Sequence, residues 1–230
     1  MSDKLPPSAR LIGKILAVLR LPWVVIELSG PHAALFRNRF MGAHRHFSWL
    51  SKKVWGVALL RLPTTIESYL EGGHRQALRT NRNRSIKLKY QIRSFDPQAL
   101  RLEIDAIHCA IPKRQGHQME YNQQDDILQS TQFPHDYLGV FSDDNTLVAV
   151  ACTPVCGQLA IQLTFIGHPD HLRNGVMYAL QTAVVQASIA RGAQWLTYEG
   201  FFGQTDGMRY FLERCGYAPS NVTWRLGTLS

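Results

Sequence analysis

The sequence predicts a mixed α/β (α+β) fold, a mostly antiparallel sheet flanked by helices, preceded by a basic N-terminal extension. Three observations lead there. Strand-like and helix-like segments alternate from Tyr90 to the carboxy terminus. Two apolar runs, Tyr137 to Phe141 and Thr146 to Thr153, are separated only by Ser142-Asp143-Asp144-Asn145, a hairpin signal that makes them antiparallel neighbours. Charge is unevenly divided: residues 1–93 hold 17 Lys or Arg against 4 Asp or Glu, and residues 94–230 hold 8 against 13.

The first part carries few regular signals. Residues 8–20 place Leu11, Ile12, Ile15, Leu16 and Leu19 on one helical face, with Arg10 and Lys14 on the other. Such a helix docks on its own domain, or meets a membrane surface or a partner. Trp23 to Leu28 reads as a strand bounded by Pro22 and the turn Ser29-Gly30-Pro31. His32 to Lys53 is basic and aromatic without a clear period, and its His44 and His46 are surface, phosphate-facing or metal-binding groups. Val54 to Leu62 is a second strand, ended by Pro63. Thr64 with Glu67 fits a capping box, so a helix should follow, broken by Gly72 and Gly73 before the basic segment His74 to Lys89. The expected division is an extension at residues 1–53 packed on a domain at residues 54–230.

From Tyr90 the order is clearer. Tyr90 to Phe95 is a strand, Pro97 opens a helix running to about Cys109, and Ile111 to Gln118 is a loop. A short helix fits Asn122 to Ser130. After the hairpin, Gln158 to Ile166 is a third antiparallel strand. Asn174 to Arg191 is a long helix stopped by Gly192, and Trp195 to Tyr198 a strand. Asp206 to Cys215 is a helix closed by Gly216, and Val222 to Leu226 a last strand.

Composition narrows the functional classes. With 45% hydrophobic residues the chain can pack an ordinary core, and no apolar run reaches the roughly 18 to 20 residues of a membrane span. No signal-peptide pattern is present, which points to a cytoplasmic protein. Cys109, Cys152, Cys156 and Cys215 form no disulfide framework and no zinc-finger pair, so no metal is expected. The cationic first part suits an anionic partner: nucleic acid, a phosphate-bearing cofactor or an anionic membrane.

Three strings in this order resemble the GNAT acyltransferase superfamily, and within it the FemABX and CelD-like branch. They are Tyr69 to Arg84, a basic helix; Tyr178-Ala179-Leu180 through Gly192 to Tyr198; and Gly207-Met208-Arg209-Tyr210-Phe211 through Gly216-Tyr217. Together they cover about residues 54–227. The resemblance implies acyl transfer from an acyl thioester, as acyl-CoA or carrier-bound, to a small-molecule or peptide amine. It also implies two alternatives, a tRNA-dependent aminoacyltransferase of FemABX type and a catalytically inactive GNAT-fold binding module. The phosphate loop of such enzymes is matched only at Gly175, and Leu212 stands where the branch has Lys and many GNAT enzymes have a tyrosine acid.

That frame places the site residues. The donor arm would run beside Leu163, Thr164, Phe165 and Ile166, and its phosphates would meet Arg173, Asn174, Gly175 and Val176, where free helix-start amides and the dipole favour an anion. Arg173 is otherwise a solvated helix-start arginine. Glu199 is the candidate general base, or else an exposed acid at a strand end. Tyr210 is the candidate acid, or else a core tyrosine. Arg75, Arg79 and Arg82 fall at i, i+4 and i+7, a stripe able to track the phosphates of tRNA or another polyanion, or a solvated face. Arg114, in the loop Arg114-Gln115-Gly116, is a substrate contact or part of a plain turn.

Overall fold

A computed structural model describes residues 18–44, 47–51, 54–110, 113–114, 117–118 and 123–227. The elements, in chain order, begin with β1 (Trp23–Leu28), α1 (Ala33–Met41), β2 (Ala43–His44), β3 (Phe47–Ser51) and β4 (Val57–Arg61). Next come α2 (Ile66–Leu70), α3 (Gln76–Lys87), β5 (Gln91–Ser94), α4 (Arg101–Cys109), β6 (Lys113–Arg114), β7 (His117–Gln118) and α5 (Gln123–Gln132). The chain closes with β8 (Tyr137–Phe141), β9 (Leu147–Cys152), β10 (Val155–Cys156), β11 (Leu159–Ile161), β12 (Thr164–Gly167), α6 (Val176–Ala190), β13 (Trp195–Gly200), α7 (Asp206–Cys215) and β14 (Ala218–Leu226).

Two sheets share the central layer. One has the order β1-β14-β4-β13-β11-β10 and the other β12-β9-β8-β5. Only the pairs β1 with β14 and β11 with β13 are parallel, so the layer is mostly antiparallel, as the sequence predicts. Helices cover both faces. On one, Phe36 and Phe40 of α1 and Ile104 and Ile107 of α4 pack with Ile26 and Leu28 of β1. On the other, Leu78 of α3, Val176, Leu180 and Val184 of α6, and Leu212 and Cys215 of α7 form the second cluster. β9 lies between them and is buried along its whole length. Its residues alternate between clusters, Val150 and Cys152 to the first, Ala149 and Ala151 to the second, as a period of two requires.

Several boundaries are sharper or different than the sequence suggests. The helix cap before α2 is Thr65, whose Oγ1 accepts from the Ser68 amide at 3.2 Å, one residue beyond the expected Thr64. The stretch His32 to Lys53, read as having no period, contains α1. The first part is built into the domain rather than laid upon it, because β1 runs its full length in register with β14 and α1 fills the first cluster. The expected amphipathic helix at residues 8–20 lies outside the described residues, apart from its last turn. So does His46. Among the described residues no helix is long and apolar enough to cross a membrane.

The largest difference is the strand expected at Gln158 to Ile166. It is two strands in two sheets. β11 pairs in parallel with β13 for three residues, Leu159 to Ile161 against Trp195 to Thr197, and β12 then pairs with β9. The change of partner occurs between adjacent residues. The Gln162 amide still donates to the Thr197 carbonyl at 3.0 Å, and the Leu163 amide donates to Cys152 at 3.0 Å.

Candidate functional site: a fork in the central sheet

The fork at Gln162 and Leu163 is held by a closed ring of buried hydrogen bonds. Gln162 Nε2 donates to Gln181 Oε1 at 3.0 Å, Gln181 Nε2 donates to the Tyr217 hydroxyl at 3.0 Å, and that hydroxyl donates to Gln162 Oε1 at 2.5 Å. Three buried polar side chains are thus partnered with one another, which offsets the cost of burying them and ties Gln162 at the fork to α6 and to Tyr217. Burial first, then the neighbouring Tyr69 and Cys215, push the Tyr217 phenol well above its ordinary value, so it stays neutral and donates. The Tyr69 hydroxyl donates to the Cys215 carbonyl at 2.9 Å. None of these residues stood out as functional in the sequence. The signal available was Gln181, an amide on the buried face of a helix whose neighbours there are Val176, Leu180, Val184 and Val185.

Beyond the fork, β12 is an edge strand. His168 donates to the Val148 carbonyl at 2.7 Å, and the alternation of an antiparallel ladder then turns the backbone groups of Phe165 and Gly167 toward the open edge. That edge borders a cavity of about 370 Å³ with a mostly apolar wall. Phe165 and Ile166 of β12, Met177 of α6, and Met208 and Phe211 of α7 line it, with Thr205 and Gly207 at the α7 start. Thr205 caps α7, its Oγ1 accepting from the Met208 amide at 3.3 Å. On the opposite face of the sheet a second cavity, about 620 Å³, has a mixed wall: Leu35, Phe36, Leu128, Phe133 and Leu163 on the apolar side, with Asn38 and Arg39 of α1 and Asp125, Gln129 and Gln132 of α5 supplying polar groups. Thr164 connects to it through its hydroxyl, which donates to Gln129 Oε1 at 2.8 Å. The four residues Leu163 to Ile166 therefore stand between two cavities.

The helix start expected to hold donor phosphates is arranged differently. Residues Pro169–Asn174 form a 3-10 turn, and two of its amides are used internally: His171 to the His168 carbonyl at 3.0 Å, and Gly175 to that of Leu172 at 3.2 Å. Gly175 has φ +81° and is pressed against α3: a Cβ there would stand 2.1 Å from the Asn81 carbonyl oxygen. Gly175 and Val176 are buried beside α3, and of the four residues expected to meet donor phosphates Arg173 is exposed and Asn174 half-buried. Arg173 is exposed, with its carbonyl accepting from Arg84 at 3.0 Å. Asn174 donates to the Tyr90 hydroxyl at 2.8 Å, and that hydroxyl lies 2.7 Å from His171 Nδ1.

The arginine stripe is also redirected inward. Arg75 is buried, donates to the Arg214 carbonyl at 3.2 Å, and stacks 5.0 Å from the centre of the Tyr69 ring. It satisfies an orphan carbonyl at the end of α7, where a cation also complements the helix dipole. Arg79 Nη1 donates to the carbonyls of Leu70 and, at 2.8 Å, Gly72, closing the end of α2 in the same way. Arg82 is half-buried between α3 and α6. Two of the three guanidiniums are thus committed to backbone carbonyls.

Tyr210 is neither core nor in the cavity. It is 54% exposed, and the Arg214 guanidinium lies 4.8 Å from its ring centre. Glu199 lies within β13, not past it, at the irregularity where pairing with β4 shifts between Thr197 and Gly200. Its side chain lies outside the described residues, as does that of Arg114, which sits in the short hairpin β6-β7.

No family model matches the sequence, and no curated protein matches it. Among solved structures, the fold is similar to L-PGS from Bacillus licheniformis, with a TM-score of 0.52 and 16% identity over 71% of this chain and 57% of that one. It is similar to the C-terminal domain (DUF2156) of a putative lysylphosphatidylglycerol synthetase from Agrobacterium fabrum, with a TM-score of 0.53 and 16% identity over the same shares, 71% and 57%. A shorter likeness, to the ribosomal-protein-S18-alanine N-acetyltransferase from Escherichia coli, has a TM-score of 0.36 and 17% identity over 45% of this chain and 62% of that one. The match spans little more than half the length of the first two structures. The fold, mixed α/β with a mostly antiparallel sheet, is similar to that of these two structures over about 71% of this chain.

Proposed function

We propose that this chain is an acyltransferase that moves an activated acyl group onto an amine across the fork in its sheet. The observation that carries the reading is the pair of cavities on opposite faces of Leu163 to Ile166. The donor arm enters the apolar cavity beside β12, where the edge groups of Phe165 and Gly167 hydrogen-bond it in register. The acceptor amine arrives from the mixed cavity between α1 and α5, where Asp125 and Gln129 offer it polar contacts. Glu199, at the far end of β13, takes the proton from the amine, directly or through water. Tyr210 has no part in this scheme, because it faces solvent.

The donor is an acyl thioester, acyl-CoA or carrier-bound; the burial of Gly175 and Val176 at the start of α6 favours a carrier-bound arm. A second reading is aminoacyl transfer from charged tRNA. It draws on the 17 cationic against 4 acidic residues of the first part, and on a fold like that of lysylphosphatidylglycerol synthetase domains. A binding module that had lost its chemistry would more naturally have a filled fork, and this one is open. The test is to incubate the protein with acyl-pantetheine, acyl-CoA or aminoacyl-tRNA and a panel of amines, and follow acylated products by mass spectrometry. Transfer from acyl-pantetheine supports the first reading and transfer from aminoacyl-tRNA the second. No transfer and no donor-dependent stabilisation with any of the three would reject both.

A further inference from the structure

Large apolar side chains stand open to solvent at the β1 end of the six-stranded sheet. Trp23 is 53% exposed, Trp55 40%, Phe202 43% and Leu19 54%. They form one patch. The rings of Trp23 and Trp55 meet edge to face with centroids 5.1 Å apart. Gly56 bears directly on Phe202, since a Cβ there would stand 2.8 Å from its ring and 3.9 Å from Leu21. Asn221 of β14, the register partner of Trp23, donates to the Val18 carbonyl at 3.0 Å and holds the Leu19 turn beside the patch. Strand alternation explains the exposure of Trp23 and Val25: Ile26 and Leu28 are buried against α1, so the outer residues of β1 face away from it.

The charge of the first part of the sequence around the patch is mainly of one sign: residues 4–66 hold ten Lys or Arg against one acid, Glu27. Arg20 lies between Leu19 and Leu21, Lys52 and Lys53 precede Val54-Trp55, and Arg10 and Lys14 belong to the amphipathic stretch that leads into Val18. We infer that this patch docks the protein on an anionic phospholipid membrane, with the indoles at the headgroup level and the flanking Lys and Arg drawn to the lipid charge. Tryptophan is suited to that boundary because its ring is apolar and its N–H is wet, and each basic residue near an anionic leaflet adds attraction that salt screens. The loop that carries Phe202 continues to Thr205 and Gly207, which line the apolar cavity. The inference goes beyond the proposed acyl transfer and stands without it.

The test uses the full chain with vesicles of phosphatidylcholine alone, or containing about a third phosphatidylserine. Co-sedimentation and tryptophan emission are the readouts. The wild type is expected to bind the phosphatidylserine vesicles with a blue shift, to bind phosphatidylcholine weakly, and to release as salt is raised. Trp23→Ser with Trp55→Ser should lower the partition by about tenfold or more, as lost apolar burial of two indoles requires. Phe202→Ser, on an exposed loop, should lower it in the same direction and keeps the test decisive should the double variant fail to fold. Leu102→Ser, at an exposed leucine of α4, serves as the control and should bind as the wild type does. Absence of wild-type binding to phosphatidylserine vesicles, or equal binding by the patch variants, would overturn the inference. So would a dimer in solution that the double variant disperses without any change in vesicle binding, because the patch would then belong to a second copy of the chain.

Discussion

On the α6 and α7 face of the fork, Phe165, Met177, Met208 and Phe211 line a cavity that offers a guest mainly dispersion and exclusion of water. On the α1 and α5 face, a wider cavity is mixed: Leu35, Phe36, Leu128 and Phe133 share its wall with Asn38, Arg39, Asp125, Gln129 and Gln132, which add hydrogen bonds and charges of both signs. One strand of four residues separates them. The contrast teaches that the strand break does more than bend the sheet: it gives a single edge two unlike sides, to which the proposed function assigns the acyl arm and the amine. Keeping the two apart depends on the position of α6 and on the ring that pins Gln162.

The most disruptive change should be Gly175→Ala. The new methyl would meet the Asn81 carbonyl oxygen at 2.1 Å, against backbone that cannot swing aside, and the residue sits at φ +81°. A loss of about 3 kcal/mol or more in urea unfolding is expected, with α6 displaced from the apolar cavity it helps to line. Next comes Tyr217→Phe. Removing the hydroxyl leaves Gln162 Oε1 and Gln181 Nε2 each without its ring partner, so a loss of about 1 to 3 kcal/mol should follow. Tyr210→Phe, on the solvent face of α7, should stay within about 0.5 kcal/mol of the wild type.

Which parts were legible follows from the kind of signal each left. β1 and α7 have the expected boundaries because Pro22, Ser29-Gly30-Pro31 and Gly216 punctuate them locally. α1 was missed because exposed Leu35 and Met41 blur the spacing of its buried Ala33, Phe36 and Phe40. The break between β11 and β12 was missed because a change of partner leaves the strand pattern continuous: Leu159 to Ile166 stays apolar enough on both sides of Gln162. The arginines mislead for another reason. Arg75 binds the carbonyl of Arg214, far along the chain, and a carbonyl partner leaves no trace in a list of side chains. For the candidate site, Leu163 to Ile166 were singled out by the resemblance that the order of elements carries, whereas a cavity wall of Met208, Phe211 and Gln129 is defined only by tertiary contact.

A smaller effect concerns alkaline pH. The folded chain holds the phenols of Tyr69 and Tyr217 above their ordinary value near 10, chiefly by burial. Above pH 10 the unfolded chain loses these protons first, so the folded state binds more protons and stability must fall as pH rises. Below that range both groups are neutral in both states and contribute no slope. Burial also pushes the Cys215 thiol well up, which adds slope from about pH 9. Urea midpoints measured from pH 8 to 11 should therefore decline above about pH 9 and more steeply above about pH 10, where Tyr69→Phe should flatten the decline. Smaller again is Gln129→Ala, which opens the mixed cavity and frees Thr164: KM for the amine should rise severalfold, by about 1 kcal/mol of lost binding, with donor affinity unchanged.

The central claim is that the acyl arm lies in the cavity between β12 and α7, and filling that cavity tests it most directly. Met208→Trp adds bulk to the wall opposite Phe165, on a side chain that neither hydrogen-bonds nor carries charge. The measurement is calorimetric titration of acyl-pantetheine into Met208→Trp, with Gln129→Ala and the wild type alongside. The account predicts binding by the wild type and by Gln129→Ala, and a loss of about a hundredfold or more in Met208→Trp, whose thermal unfolding should remain cooperative. Unchanged affinity in a folded Met208→Trp would contradict it and move the donor elsewhere on the molecule.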